Sequence, residues 1–167
     1  NGYSQKCTTA DEDGICDSVY YLSFSPANID NYPLTQNGAG EVPKCTTIGS
    51  PGNYHLVKDL LNTTQTCIRI ESSNVTIDGN GFTLDGVDAL YSTGIAAYRS
   101  GTGLANITIK DLILTDWYQG IAYANISNGI IRNNTLMSNN LSGITIRFDS
   151  GDNNISNNNI HSIEQNG

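Results

Sequence analysis

The second half of the chain repeats one short motif at nearly constant spacing. The motif occurs as Gly94-Ile95-Ala96-Ala97, Gly120-Ile121-Ala122-Tyr123 and Gly143-Ile144-Thr145-Ile146, and Gly167 begins a fourth copy. The spacings between the glycines are therefore 26, 23 and 24 residues. A period of about 20 to 50 residues is typical of an array of stacked structural units. This period constrains the fold more than any other feature of the sequence.

Each copy contains short alternating apolar runs that are separated by asparagine and glycine. Runs such as Ile107-Thr108-Ile109 predict strands of about three to five residues bounded by turns. No ten-residue window shows a helical period, and the consensus of leucine-rich repeats is absent. The predicted fold is all-β: a right-handed parallel β-helix of about four to five coils. One coil is a circuit of three short strands, and successive coils stack roughly 4.8 Å apart.

Stacking places like residues above one another. Ile95, Ile121 and Ile144 are predicted to form an aliphatic column inside the solenoid. Asparagine at a turn tolerates a left-handed backbone and passes amide hydrogen bonds to the asparagine of the next coil. Such ladders need few charges, in keeping with the 14% of charged residues. The net charge of -8 argues against nucleic acid or an anionic membrane as a partner, and no apolar run is long enough to span a membrane.

The chain divides into two regions. Residues 45–167 are predicted to be the parallel β-helix, and residues 1–44, which show no period, an irregular segment tied by a disulfide. The run from Tyr54 to Leu61 is either a strand entering the helix or a short capping turn. One brief helical turn near residues 56–61 is the only helix expected.

Four cysteines lie in the first 67 residues, and none belongs to a CxxC pair. We predict two disulfides, Cys7–Cys16 and Cys45–Cys67, because each closes a short local loop. Free buried thiols are the alternative. Disulfides indicate an oxidising compartment, so the predicted location is extracellular or at the cell surface.

Three runs resemble a known family: SPGNYHLVKDLL, TCIRI and NVTIDGNGFTLDG. They are similar to the opening coils of archaeal and bacterial secreted surface proteins with pectate-lyase-like parallel β-helix repeats. The same repeat class contains the periplasmic β-helix protein that helps to mature nitrous oxide reductase. The resemblance covers about residues 45–167 and implies an architecture, not an activity. Residues 11–17 and 28–34 are similar to a passage that ends a helix block, so the chain is expected to straddle a block boundary.

The acidic loop near the start is the best metal candidate. With Gly14 at the sixth position of a calcium loop, Asp11, Asp13 and Asp17 take the third, fifth and ninth positions. The glutamate expected at the twelfth position is missing, and an Asx-turn cluster without metal is the alternative. Calcium is the only cofactor that the sequence suggests.

No catalytic constellation is recognisable in the predicted helix, where the acids are scattered: Asp78, Asp85, Asp88, Asp111, Asp116, Asp149 and Asp152. Arg132 and Arg147 are candidates for neighbours on adjacent coils, or for solvated turn residues. Trp117 and Tyr118 are predicted in an outward loop, as a sugar-stacking platform or as packing against a neighbouring segment. Triplets that permit N-glycosylation occur at seven asparagines: Asn62, Asn74, Asn106, Asn125, Asn133, Asn140 and Asn154.

The predicted function is that of a non-catalytic extracellular structural protein, a building block of a surface layer, sheath or filament. The alternative is a β-helix that binds or cleaves extracellular polysaccharide. Head-to-tail assembly with copies of itself is expected because the last coil presents an aliphatic slice from Ile155, Ile160 and Ile163 with few capping charges. That slice is expected to be covered by another molecule or by further sequence.

Overall fold

Parallel pairing joins the strands of the described chain into a stack of coils. The computed structural model describes residues 40–161, and within them every strand pair is parallel. No helix occurs in this part of the chain. The predicted parallel β-helix is therefore confirmed, with about five coils.

The strands, numbered in chain order, form three sheets and one short pair. Sheet 1 contains β1 (Glu41–Val42), β3 (Gly52–Leu56), β5 (Val75–Asp78), β9 (Ile107–Lys110), β13 (Ile130–Arg132) and β16 (Asn154–Ser156). Sheet 2 contains β6 (Thr83–Asp85), β10 (Ile113–Thr115), β14 (Thr135–Met137) and β17 (Asn159–His161). Sheet 3 contains β2 (Thr46–Ile48), β4 (Ile68–Ile70), β7 (Thr93–Ala97), β11 (Gln119–Ala124) and β15 (Ser142–Arg147). The short pair is β8 (Leu104–Ala105) with β12 (Ile126–Ser127).

The chain visits sheets 1, 2 and 3 in turn and then begins the next coil. Val75 faces Ile107 and Ile130 faces Asn154, one coil further along. The coil between β5 and β9 is the longest because exposed residues 98–103 are inserted after β7. β1 already pairs with β3. Sheet 1 therefore begins before residue 45, the residue at which the sequence pattern predicts the start of the solenoid.

The interior consists of three aliphatic columns, one on the inner face of each sheet. The predicted column of Ile95, Ile121 and Ile144 is confirmed in sheet 3. The other two are Ile77, Ile109, Ile131 and Ile155 in sheet 1, and Leu84, Leu114, Leu136 and Ile160 in sheet 2. All but the last members of these two columns are fully buried. Each such side chain contributes roughly 1.5–3 kcal/mol of burial free energy.

Asparagine and aspartate shape the corners between the sheets. Fifteen described residues other than glycine have a positive φ, and twelve of them are Asn or Asp, the residues that best tolerate it. Side-chain stacking also occurs, since Asn106 Nδ2 donates to Asn74 Oδ1 over 2.9 Å. The predicted asparagine ladder is thus confirmed at the corner before sheet 1.

A second set of asparagines points inward, which the sequence pattern did not predict. Asn139 is buried; its Oδ1 accepts the Trp117 N–H at 3.2 Å, and its Nδ2 donates to the Leu114 carbonyl. Asn134 bridges the Leu112 N–H and the Ile109 carbonyl in the same way. Each side chain therefore accepts a hydrogen bond from one backbone N–H and donates one to a backbone carbonyl of the preceding coil. Both backbone groups lie close to the end of a strand, and the asparagine gives them a partner.

Two local predictions were wrong. The chain near residues 56–61 contains no helical turn: β3 runs to Leu56, and Leu60 forms a single bridge with Leu84. Trp117 does not lie in an outward loop. It is fully buried, and its Nε1 donates to the Leu84 carbonyl at 2.9 Å. Gly86 and Gly94 leave space for the indole. A Cβ on Gly86 would lie 3.0 Å from the indole, and a Cβ on Gly94 would lie 3.3 Å from it.

Replacing the inward asparagine tests its structural role. We expect Asn139→Ala to lower the free energy of unfolding by about 3 kcal/mol, because two buried backbone groups lose their partners. The matched control is Asn140→Ala, the adjacent and partly exposed asparagine, for which we expect less than about 0.5 kcal/mol. Urea unfolding of the two unglycosylated variants makes the comparison, and equal losses would contradict the role assigned to Asn139.

Candidate ligand-binding groove

On the outer face of sheet 3, one row of side chains crosses the five strands, and the side chains at the centre of the row are short. Thr47, Arg69, Ala96, Ala122 and Thr145 face one another across the five strands. They point outward because their neighbours in each strand point into the core. Ala96 and Ala122 end at Cβ, so the middle of the row forms a floor. Two adjoining clefts of about 830 and 500 Å³ lie over this face and share Thr66 and Tyr91.

We call these two clefts together the sheet 3 groove. One wall is formed by residues that immediately precede the strands, including Tyr91, Tyr118 and Leu141. The opposite wall is formed by residues at or just after the strand ends, namely Tyr98, Ala124, Arg147 and Phe148. The rings of Tyr91 and Tyr118 pack with centroids 5.6 Å apart. The groove therefore runs across the strands, parallel to the stacking direction.

Two aromatic residues in the walls have a strained backbone. Tyr91 and Phe148 have φ values of 64° and 57°, and they are the only bulky side chains among the described residues with positive φ. Both are also strongly exposed, at 81% and 79%. An L-residue in this conformation costs about 1–2 kcal/mol, and an exposed ring recovers little of that through burial. Phe148 occupies the corner position of Asn125, whose φ is also positive, so the unusual feature is a large aromatic residue where the fold otherwise uses asparagine. Residues in such strained conformations cluster at functional sites.

A hydrogen-bond network holds one cation at the edge of the groove. Gln119 is only 7% exposed, although it lines the groove. Its Nε2 donates to Thr145 Oγ1 at 2.9 Å, and its Oε1 accepts from Arg147 Nη2 at 3.0 Å. Within the described chain no carboxylate forms a salt bridge with Arg147. Its guanidinium is therefore positioned by a neutral partner.

The second arginine of the groove is already paired. Arg69 Nη2 lies 2.6 Å from Glu71 Oε1, and its guanidinium lies 4.4 Å from the centroid of the Tyr98 ring. Among the described residues that line the two clefts there is no aspartate, glutamate, histidine or lysine. The groove thus offers aromatic rings, hydroxyl and amide groups and two arginines, a set suited to binding an extended polar ligand.

Comparison with known proteins identifies the architecture. Residues 57–167 match the model of a family described as "Right handed beta helix region". The chain belongs to this right-handed β-helix family. Neither the curated proteins nor the solved structures provide a significant match.

Most residues singled out from the sequence of this β-helix lie away from the groove. Arg132 and Arg147 are not neighbours, because they lie in sheets 1 and 3 respectively. Asp149 and Asp152 are exposed after β15 and do not line the groove. Tyr118 does line it, as the sugar-stacking hypothesis requires, whereas its neighbour Trp117 belongs to the core. The sequence pattern missed Gln119, whose position at the start of a strand gave no signal of a role.

The remaining predicted sites can be placed only in part. Asp11, Asp13, Asp17, Cys7 and Cys16 lie outside the described residues. Between residues 40 and 161 no group of three or more metal-ligating side chains occurs, and there is no helix that is long and apolar enough to cross a membrane. The predicted Cys45–Cys67 disulfide is present and joins the approaches to β2 and β4.

The seven glycosylation candidates differ in the exposure and the hydrogen bonding of their side chains. Asn106 is hydrogen-bonded to Asn74, and Asn133 Nδ2 donates to Asp111 Oδ1 at 3.3 Å. Asn125 and Asn140 are partly buried, whereas Asn62 and Asn154 are exposed. Asn62 also lines the groove. Glycosylation at each of the seven stays a prediction.

Two carboxylates outside the groove have pKa values shifted in opposite directions. Burial raises the pKa of Asp78, but the hydrogen bonds from Lys110 and the Asn80 N–H and the charge of Lys110 outweigh it, so the net shift is downward. For Asp85, burial and the nearby Asp116 carboxylate raise the pKa more than the Asn62 N–H lowers it. Asp78 in its charged form therefore stabilises the fold, whereas ionised Asp85 opposes it.

Replacing each of these two carboxylates by an amide should change the free energy of unfolding in opposite directions. At pH 7 we expect Asp78→Asn to lower the free energy of unfolding by up to about 1 kcal/mol and Asp85→Asn to raise it by a similar amount. The Asp78 contribution is present above the unfolded pKa, near 4, and is lost as pH falls through the lower folded pKa. The cost of ionised Asp85 appears as pH rises from about 4 through its higher folded pKa.

The two differences should disappear in different pH ranges. The Asp85 difference should fall to near zero as pH drops below about 4, whereas the Asp78 difference should shrink only as pH falls through the lowered folded pKa of Asp78. Thermal unfolding of the two variants and the parent between pH 3 and 7 measures them. Shifts of the same sign at pH 7, or an Asp85 difference that is as large at pH 3 as at pH 7, would contradict the assignment.

Proposed function

We propose that this β-helix is a non-catalytic extracellular module that binds polysaccharide along the sheet 3 groove. The observation that carries the proposal is the pair Tyr91 and Phe148, two exposed aromatic rings held in a strained backbone on opposite walls. The apolar faces of sugar rings pack on such aromatic faces, and sugar hydroxyls pair with exposed amide and hydroxyl side chains such as Gln65 and Thr64.

The form of the groove also favours a polymer. Its floor repeats once per coil at the spacing of neighbouring strands, about 4.8 Å, and Arg69 and Arg147 lie on strands three steps apart. That separation corresponds to about 14 Å along the stacking direction. A chain of similar units can contact several coils in the same way, as ligands of other solenoids do. This groove is the main support for choosing polysaccharide binding over the structural role predicted first.

Binding without cleavage is proposed because no carboxylate or imidazole of the described residues lines the groove. Hydrolysis of a glycosidic bond normally uses two carboxyl groups on either side of it. An extracellular or cell-surface location is supported by the Cys45–Cys67 disulfide. We further propose kinship with the archaeal and bacterial surface proteins and the nitrous oxide reductase maturation protein that the sequence resembles. Glycosylation of the seven asparagines and calcium at Asp11, Asp13 and Asp17 belong to the same proposal.

A structural role in a layer, sheath or filament is the second candidate. It is favoured by Ile155 and Ile160, the column members in the last described strands of sheets 1 and 2, which are 47% and 45% exposed. Such a slice can accept a further coil from the same chain or from another copy. Negative-stain electron microscopy of the purified protein distinguishes the two functions, because ordered filaments or sheets would favour the structural role.

Replacing Tyr91 and Phe148 should weaken polysaccharide binding and, at the same time, raise stability. Phe148→Asn and Tyr91→Asn each create an Asn-x-Ser/Thr triplet, so both are produced without glycosylation. We expect them to raise the free energy of unfolding by up to about 1 kcal/mol, since asparagine tolerates the left-handed backbone. The same variants should weaken polysaccharide binding about tenfold or more, because each loses a stacking surface. Affinity electrophoresis in gels containing neutral and acidic polysaccharides measures binding, and urea unfolding measures stability.

The matched control is Ser138→Asn, which changes a positive-φ residue that lies outside the groove. It should gain stability in the same way and leave binding unchanged. If the aromatic variants lose stability and bind normally, Tyr91 and Phe148 are packing residues. If no polysaccharide retards the parent protein, the proposed function is wrong.

A further inference from the structure

We infer that Arg147 is a recognition residue for an acidic unit of the ligand, a sugar that carries a carboxylate or a sulfate group. The inference rests on the proposed function, since it names the class of saccharide that the sheet 3 groove selects. It starts from the unequal surroundings of the two arginines that line the groove.

Arg69 has a carboxylate partner and Arg147 has none in the described chain. The Glu71 carboxylate contacts Arg69, and the Tyr98 ring covers the guanidinium of Arg69. The charge of Arg69 is therefore balanced inside the protein. Arg147 is exposed, and among the described residues its guanidinium is hydrogen-bonded to the neutral amide of Gln119. An exposed guanidinium that is fixed in place with its charge unbalanced is suited to binding an anion.

The position of Arg147 is built into the fold. Gln119 lies at the start of β11 and Arg147 at the end of β15, and the two strands are paired. Gln119 is almost completely buried, and both ends of its amide are used, one by Thr145 and one by Arg147. Burying a glutamine on an outer sheet face gains little through the hydrophobic effect, and its amide needs these partners. Its arrangement serves to orient the guanidinium over the groove.

The overall negative charge of the protein does not prevent anion binding at this point. The chain carries a net charge of -8, but exposed charges are largely screened beyond about 8 Å at physiological ionic strength. No acidic residue of the described chain lines the groove itself. At the β15 end, the charge that lines the groove is that of Arg147, and the exposed Asp149 and Asp152 that follow it do not line the groove. At the β4 end, the Glu71 carboxylate offsets the charge of Arg69.

The test compares saccharides that differ only in charge. The probes are a galacturonate hexamer and its methyl ester, and dextran sulfate and dextran, with binding measured by isothermal titration calorimetry. We expect the parent protein to bind at least one acidic probe about tenfold more tightly than its neutral counterpart, as one charge-assisted contact typically provides. The two pairs of probes distinguish a carboxylate from a sulfate.

Two variants should remove the preference by different routes. Arg147→Gln deletes the cation, and Gln119→Glu keeps it but supplies a carboxylate beside it, with little change in shape. In both, we expect the acidic and neutral probes to bind with similar affinity, at the level of the neutral probe. Arg132→Gln, on sheet 1, is the control and should change the preference by less than about twofold.

The outcomes separate this inference from the proposed function. Equal binding of acidic and neutral probes by the parent, or a preference that survives both Arg147→Gln and Gln119→Glu, overturns the role of Arg147 and leaves the groove as a site for neutral polysaccharide. A loss of preference in Arg132→Gln equal to that in Arg147→Gln also overturns it, because the effect would then be one of general charge. Failure of every saccharide to bind overturns the proposed function itself.

Discussion

The backbone hydrogen bonds between successive coils are the interaction on which the rest of this structure depends. They hold each strand in register with its equivalent one coil away, so that a residue type repeated in the sequence becomes a column in space. The aliphatic columns inside, the asparagines at the corners and the row of small residues on sheet 3 all follow from this register. A slip by one residue would turn every interior side chain outward. At the corners, the inward amides of Asn134 and Asn139 reinforce the register beside backbone bonds such as that from the Asn140 N–H to the Trp117 carbonyl.

The sequence was sufficient for the fold because its repeat is local and nearly regular. The pairing of Ile121 with Ile95 and Ile144, and of Leu136 with Ile160, follows from counting residues between glycines. The position of Trp117 could not be found in that way, since it depends on space left by Gly86 and Gly94 in the preceding coil. Tyr123 is similar: it is buried against Gly129, where a Cβ would come within 2.6 Å of the ring. Such fits between large and small residues are properties of the stack and not of the repeat.

The groove was only partly predictable for a related reason. Tyr118 was recognised as a candidate platform, but Tyr91 and Phe148 gave no sign that their backbones are left-handed. In most corners the sequence places Asn or Asp where φ is positive, and the two exceptions with large rings stand out only against that background. Gln119 likewise occupies a position that is equivalent to Thr93 and Ser142 in the neighbouring coils. Its contact with Arg147 becomes visible only when the coils are stacked.

We propose that the regular stacking of coils creates a ligand groove across the strands of sheet 3. The decisive measurement is a crystal structure of the protein with the oligosaccharide that binds most tightly. We expect a saccharide chain that lies along the stacking direction over Ala96 and Ala122, between Tyr91 and Phe148, and crosses β7, β11 and β15. A saccharide bound on sheet 1 or sheet 2, or one that runs along a single strand, would contradict it.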